Sequence, residues 1–177
     1  KENVKNTYLE FDGNKVQRIG SATIDLGAIA KGYAVGEVKK ILEQYNITNY
    51  IVNAGSSTII LGSKNGEEYK VGLKYDDLHM VKLMNTSIGS SSINEQYVEI
   101  DGKLYHHIVN PKNGLCENKY STIYVIHDDP VLVDVYTTAF FNMDLEDIKT
   151  ISTKENIKVI VYQNGQIIYM SEGVNYA

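Results

Sequence analysis

Apolar and polar positions alternate with a period of two over much of this chain, which is the pattern of half-buried strands. Four dipeptides interrupt the alternation in the manner of two-residue hairpin turns: Asp12-Gly13, Asn65-Gly66, Asp101-Gly102 and Asn164-Gly165. Asn or Asp followed by Gly supplies at low cost the positive φ that a type I′ turn needs at both central positions. The flanking runs predict four hairpins: Tyr8 to Phe11 with Val16 to Ile19, Thr58 to Leu61 with Tyr69 to Leu73, Tyr97 to Ile100 with Leu104 to Val109, and Ile157 to Tyr162 with Gln166 to Met170. The last is the clearest, because Ile157, Val159 and Val161 alternate with Lys158, Ile160 and Tyr162.

Two stretches switch to helical spacing. Ile29, Tyr33, Ala34, Val38, Ile41, Leu42 and Tyr45 recur at intervals of three and four, with Glu37, Lys39, Lys40 and Glu43 on the rest of the cylinder. The second runs from about Val131 to Met143 behind Pro130, which suits a first helical turn. A third, short helix is expected near Leu145 to Ile151. With no internal repeat, low-complexity tract or linker, the reading is one α+β domain over 1–177, mainly antiparallel sheet with hairpins and two principal helices.

Composition narrows the function. Of 177 residues, 17 are Lys or Arg and 22 Asp or Glu, a formal charge of -5, and the one arginine is Arg18. No segment concentrates lysine, which argues against general nucleic-acid binding. No apolar run is long enough to span a bilayer. A single cysteine, Cys116, excludes an internal disulfide framework and a cysteine-rich metal site. No Ser-His-Asp order, HExxH, Walker A or dinucleotide GxGxxG pattern is present.

Three segments could carry chemistry. Asp25-Leu26-Gly27-Ala28-Ile29-Ala30-Lys31-Gly32 leads into the first helix. Its small residues would let a ligand approach backbone, the helix start offers unpaired amides to an anion, and Lys31 adds charge. Alternatively Asp25 caps the helix and the small residues serve packing. Asp134 and Thr138 stand one helical turn apart, where a carboxylate and a hydroxyl could hold a hard cation such as Mg²⁺. As a ligand Asp134 would face solvent, and its removal would leave the fold intact. The competing reading is local, with Thr138 bonding its own helix carbonyl. In Tyr105 to Gly114, His106 and His107 fall on opposite faces of a strand that ends in an Asn-Pro and Asn-Gly turn. One of them could be a general base or an orienting group, or both could be structural. Asn53-Ala54-Gly55-Ser56-Ser57 offers backbone and hydroxyl contacts or a plain turn, and His127-Asp128-Asp129 reads as the loop before the second helix.

In this order, the segments resemble the ApbE family of FAD:protein FMN transferases. Asp25 to Ala34 resembles the DLGGIAKGYA signature, Asn53-Ala54-Gly55 the N-x-GG turn, Tyr105 to Gly114 the HHIIDPxTG segment, and Asp134 to Phe140 the DAxATAL helix. The resemblance implies an ApbE-like, T-fold-like architecture corresponding to the C-terminal portion of longer family members. It implies FAD as substrate, with Asp25, Lys31 and the backbone near Val109 contacting the flavin nucleotide. It also implies Mg²⁺ held by Asp134, Thr138 and the carbonyl of Ala28, His107 handling a proton or orienting the ring, and a Thr or Ser hydroxyl of a target protein as acceptor. Family members are typically exported and lipid-anchored, so an extracytoplasmic location is expected. Departures are Ser56-Ser57 after the N-x-G, Ser91-Ser92 for Ser-Gly, Asn113 for Thr, and Asn110 for Asp. The last loses an anionic acceptor, and Asn110→Asp would then raise activity. Because of the departures, two alternatives accompany FMN transfer: a flavin- or nucleotide-binding module without turnover, and an FAD diphosphate hydrolase.

Overall fold

The structure, a computed structural model, describes residues 8–21, 23–55, 57–74 and 76–176. Its frame is a six-stranded antiparallel sheet in the order β12-β11-β10-β7-β4-β3. The strands are β3 (Ile51–Ala54), β4 (Thr58–Leu61), β7 (Thr86–Ser92), β10 (Thr122–His127), β11 (Lys158–Gln163) and β12 (Gln166–Met170). Both faces are covered, which explains why β10 and β11 are apolar on both alternations. On β10 and β11 the side chains of Ile123, Val125, Val159 and Val161 enter one core, while Tyr124, Ile126, Ile160 and Tyr162 enter a second on the other side.

Helices α2 (Pro130–Phe140) and α3 (Leu145–Lys154) close the first core with Val133, Phe140 and Ile148. The hairpin of β5 (Tyr69–Leu73) and β6 (Asp76–Leu83) closes the second with Leu73, Val81 and Leu83. The C-terminal segment is strapped onto it by a Val81–Tyr176 bridge. Helix α1 (Ala30–Gln44) lies against α2, and two further hairpins, β1 (Tyr8–Asp12) with β2 (Lys15–Ile19) and β8 (Tyr97–Ile100) with β9 (Lys103–His106), stand as two-stranded ribbons.

Three of the four expected hairpins form, two of them around the expected turns. In the β8–β9 and β11–β12 hairpins the turn centres, Asp101-Gly102 and Asn164-Gly165, all have positive φ, as type I′ requires. The first hairpin turns one residue later than expected. Asp12 faces Lys15, so the centre is Gly13-Asn14, and only Gly13 is left-handed (φ +55), the signature of type II′. The fourth expectation is corrected: β4 does not pair with β5. Asn65-Gly66 does make its turn, but it closes only a Lys64–Glu67 bridge. Both edges of β4 are already taken by β3 and β7, and β5 crosses to the other face of the sheet and pairs with β6.

Helix α1 also differs from its expected face. Its fully buried residues are Gly32 and Val35, while Tyr33, Ile41 and Tyr45 are exposed. Glycine decides this. A Cβ at Gly32 would lie 2.3 Å from the Pro130 carbonyl oxygen and 2.9 Å from Asp134 Cβ, so only a bare backbone lets the helices touch here. Gly89 on β7 does the same for α2 and the sheet: a Cβ there would meet Val133 Cγ1 at 2.5 Å and the Ser57 carbonyl oxygen at 2.8 Å.

Gly89→Ala is therefore expected to force α2 off the sheet and to cost about 1–3 kcal/mol, the usual range for overpacking. Urea unfolding should show a lower midpoint with an unchanged slope, and a midpoint equal to that of the parent protein would contradict the seat described here.

Candidate active site

The side chain of Asp134, expected to face solvent, is buried at 5% exposure. Its Oδ2 accepts from the Gly32 amide at 2.9 Å, and its Oδ1 accepts from Thr58 Oγ1 at 3.1 Å. Gly32 is the third residue of α1, so its N–H is one of the orphan donors of a helix start, and the N-cap residue Ile29 offers no side-chain acceptor. A carboxylate from α2 thus caps α1 from outside and ties both helices to β4. Hydrogen bonds of this kind to an ionised acceptor contribute about 1.5–3 kcal/mol each. Asp134 is consequently part of the fold.

Asp25 does not cap α1. Its Oδ1 accepts from the Gly27 amide at 2.7 Å and closes a local turn that sets the approach to the helix. Ala28 and Lys31 are exposed on the same approach. On α2 the threonine that bonds back to its own helix is Thr137, whose hydroxyl donates to the Asp134 carbonyl oxygen at 2.8 Å. That leaves the partly exposed Thr138 one turn beyond Asp134, with no hydrogen bond from its hydroxyl among the described residues.

This donor set fits a hard cation. Both partners of the Asp134 carboxylate are neutral donors, so its charge is hydrogen-bonded but not neutralised by them, and each oxygen keeps a lone pair. No group of three or more His, Cys, Asp or Glu side chains is placed to share an ion among the described residues. A cation here would thus be held by one carboxylate together with hydroxyl and main-chain oxygens, which suits Mg²⁺ rather than a softer metal.

The paired histidines separate cleanly. His106 is buried: its Nδ1 accepts from the Ile108 amide at 3.2 Å, so the proton sits on Nε2, which donates to the Glu117 carbonyl oxygen at 3.3 Å. Burial lowers its pKa and keeps it neutral. His107 is exposed. Its backbone amide and its Nδ1 both donate to the Gln96 carbonyl oxygen, each at 3.2 Å. A carbonyl only accepts, so Nδ1 carries a proton, and in the neutral ring Nε2 is the acceptor. β9 ends at His106, short of the expected Val109, which is exposed just beyond.

The following turn is built by Asn110, buried, whose Oδ1 accepts from the Lys112 amide at 2.9 Å and whose Nδ2 donates to Glu117 Oε1 at 2.8 Å. Asn113 also donates to Glu117 Oε1. The amide groups of Asn113 and Asn110, with the Lys119 ammonium, hold the Glu117 pKa below its ordinary value. Cys116 Sγ donates to the His106 carbonyl oxygen, not to a ring.

The Asn53–Ser57 segment leads directly into Thr58 of β4. Ser56 falls outside the described residues. Asn53 and Ser57 line a cavity of about 190 Å³ between the sheet and β5. The Ser57 hydroxyl is buried there with no hydrogen bond among the described residues. His127 and Asp129 form the entry to α2: Asp129 caps it by accepting from the Val131 amide at 2.8 Å. Sequence reading missed Thr58, the second partner of Asp134, and Gly89. Gly89 sits among the small polar residues of β7, Thr86-Ser87-Ile88-Gly89-Ser90-Ser91-Ser92, which carry no apolar alternation to mark a strand.

The sequence pattern of the ApbE family matches residues 1–161. This chain belongs to the ApbE family. An FAD:protein FMN transferase from Klebsiella pneumoniae (strain 342) is 32% identical over 157 residues, covering 84% of this chain and 48% of that protein. One from Treponema pallidum is 31% identical over 108 residues, covering 51% of this chain and 29% of that protein. The crystal structure of the ApbE protein from Thermotoga maritima superposes with a TM-score of 0.85 at 25% identity, covering 97% of this chain and 60% of that one. The chain therefore spans about half the length of the curated ApbE relative from Klebsiella.

Two outcomes follow from this geometry. Mg²⁺ should raise the melting temperature of the parent protein and leave Asp134→Asn unshifted, while Thr58→Val, which strips Oδ1 of its donor, should cost about 1–3 kcal/mol without metal. Equal Mg²⁺ shifts in parent and Asp134→Asn would remove the ion from this site. The second concerns acid. His106 and Glu117 both bind protons more weakly folded than unfolded, so their contribution is complete above their ordinary values of 6.5 and 4.5 and is lost as pH falls through the lowered ones. Melting temperature should drop first below about pH 6.5 and again below about 4.5. The second drop should shrink in Glu117→Gln, and an unchanged second drop would deny Glu117 its part.

Proposed function

We propose that this chain transfers FMN from FAD to a Thr or Ser hydroxyl of an acceptor protein and releases AMP. The observation that carries the reading is the Asp134 carboxylate, buried against the start of α1 in a chain of the ApbE family. In this reading the FAD diphosphate lies against Asp25 to Gly32, where the Lys31 ammonium and the positive end of the α1 dipole oppose its charge. Asp25 and the backbone at Val109 contact the rest of the flavin nucleotide. Asp134, Thr138 and the carbonyl oxygen of Ala28 are the groups that would hold Mg²⁺, which when bound would neutralise the diphosphate and the charge that develops at phosphorus.

His107 is the proton acceptor in this scheme. Its Nδ1–H is committed to the Gln96 carbonyl, so Nε2 is free to take the acceptor hydroxyl's proton. The hydroxyl oxygen bonds to the FMN phosphorus, the bridging P–O bond breaks, and AMP leaves with the electron pair. Water in place of the hydroxyl would give free FMN and AMP by the same displacement. The chain's half-length span keeps a second reading in view, a flavin-binding module that retains the cradle without turnover.

The family resemblance is the support for an extracytoplasmic, lipid-anchored setting. No described helix is long and apolar enough to cross a membrane, which says nothing of membrane β-barrels.

Incubation with FAD, Mg²⁺ and a threonine-bearing acceptor peptide should add the mass of FMN to the peptide and release AMP in equal amount. Asp134→Asn and removal of Mg²⁺ by a chelator should each abolish both products. AMP with free FMN would assign hydrolysis instead, and bound FAD with neither product would assign the binding module.

A further inference from the structure

Glu117 holds the turn around His107 from two sides. Its main-chain carbonyl accepts from His106 Nε2 at 3.3 Å, just before His107. Its Oε1 accepts from Asn110 at 2.8 Å and also from Asn113, just after Val109. One residue therefore brackets the three-residue segment that carries the candidate base and the flavin-contacting backbone. The bracket is itself anchored. Oε2, which has no hydrogen bond among the described residues, faces Lys119 Nζ at 3.4 Å, and Lys119 pairs with Asp144 at 2.8 Å beside the start of α3.

We propose that Glu117 is a positioning residue of the active site, and that Asn110 is its matched partner. The argument rests on charge and donor count. Oε1 takes two amide donors at once, and the Asn110 amide both donates to it and accepts from the Lys112 backbone, which an ionised carboxylate of the same size cannot do. An aspartate at 110 would keep the second bond but would set a carboxylate against a carboxylate at hydrogen-bond distance. The asparagine is thus one half of a Glu–Asn pair. The expectation from sequence that Asn110→Asp raises activity reverses. The role assigned to the turn rests on the flavin-transfer reading, whereas the clamp itself does not.

The test compares four variants of this chain: Glu117→Leu, Glu117→Gln, Asn110→Asp, and the last two combined. FMN transfer is measured at varied FAD, and the His107 ring nitrogens are followed by NMR without flavin. Glu117→Leu and Asn110→Asp should each lower kcat about tenfold with a smaller change in KM, as expected for losing one charge-assisted contact that orients a base. Glu117→Gln, which still offers Oε1 to both asparagines, should recover most of the loss seen in Glu117→Leu. The double variant, in which amide and carboxylate exchange places, should recover most of the loss seen in Asn110→Asp. In the two damaged variants the His107 ring should average between its two neutral forms. Parent-like kcat and ring signals in Asn110→Asp would overturn the proposal. So would a folded double variant no more active than Asn110→Asp, or, if that single variant does not fold, one far below the parent. If the parent protein transfers no FMN, the flavin-transfer reading fails while the ring signals still decide the clamp.

Discussion

A buried carboxylate with two neutral donors is the constraint around which this molecule is arranged. Asp134 takes the free amide of Gly32 at the start of α1 and the hydroxyl of Thr58 on β4, and so joins three elements that are far apart in the chain. The contact needs the glycine as much as the acid. With any Cβ at position 32 the helices would separate and the amide would fall out of reach. The charge stays oriented but uncancelled by its partners. That is a costly state for a stable core and a useful one for gathering a cation and phosphates.

Much of the fold was legible because its signals are local. The Asp101-Gly102 and Asn164-Gly165 turns gave two hairpins in place, Asp12-Gly13 gave a third displaced by one residue, and the period-two run at 157–162 gave β11 and its partner. The pairing of β4 was not legible. Which strand lies beside it depends on β7, some thirty residues away, and an Asn-Gly turn of correct shape was spent on a single bridge. The face of α1 failed for a related reason. Periodicity weighs large apolar side chains, whereas this helix packs through an absent one.

The site shows the same division. Asp134 was singled out from its spacing to Thr138, but its burial came from outside the helix, through Gly32 and Thr58. His106 and His107 were expected on opposite faces, and they are. What the sequence could not supply was the proton inventory: His106 carries its hydrogen on Nε2 and His107 on Nδ1, because a backbone amide meets one ring and a carbonyl meets the other. Glu117 left no trace in any motif, since its significance is the distance to Asn110.

The ribbon of β8 and β9 has a consequence for how the imidazole is controlled. Gln96, whose carbonyl fixes the His107 ring, is the residue immediately before that ribbon, and Tyr97, Val98 and Ile100 expose their apolar side chains along it. A tilt of the ribbon would carry that carbonyl with it, so the orientation of the ring is coupled through one peptide unit to the placement of two strands.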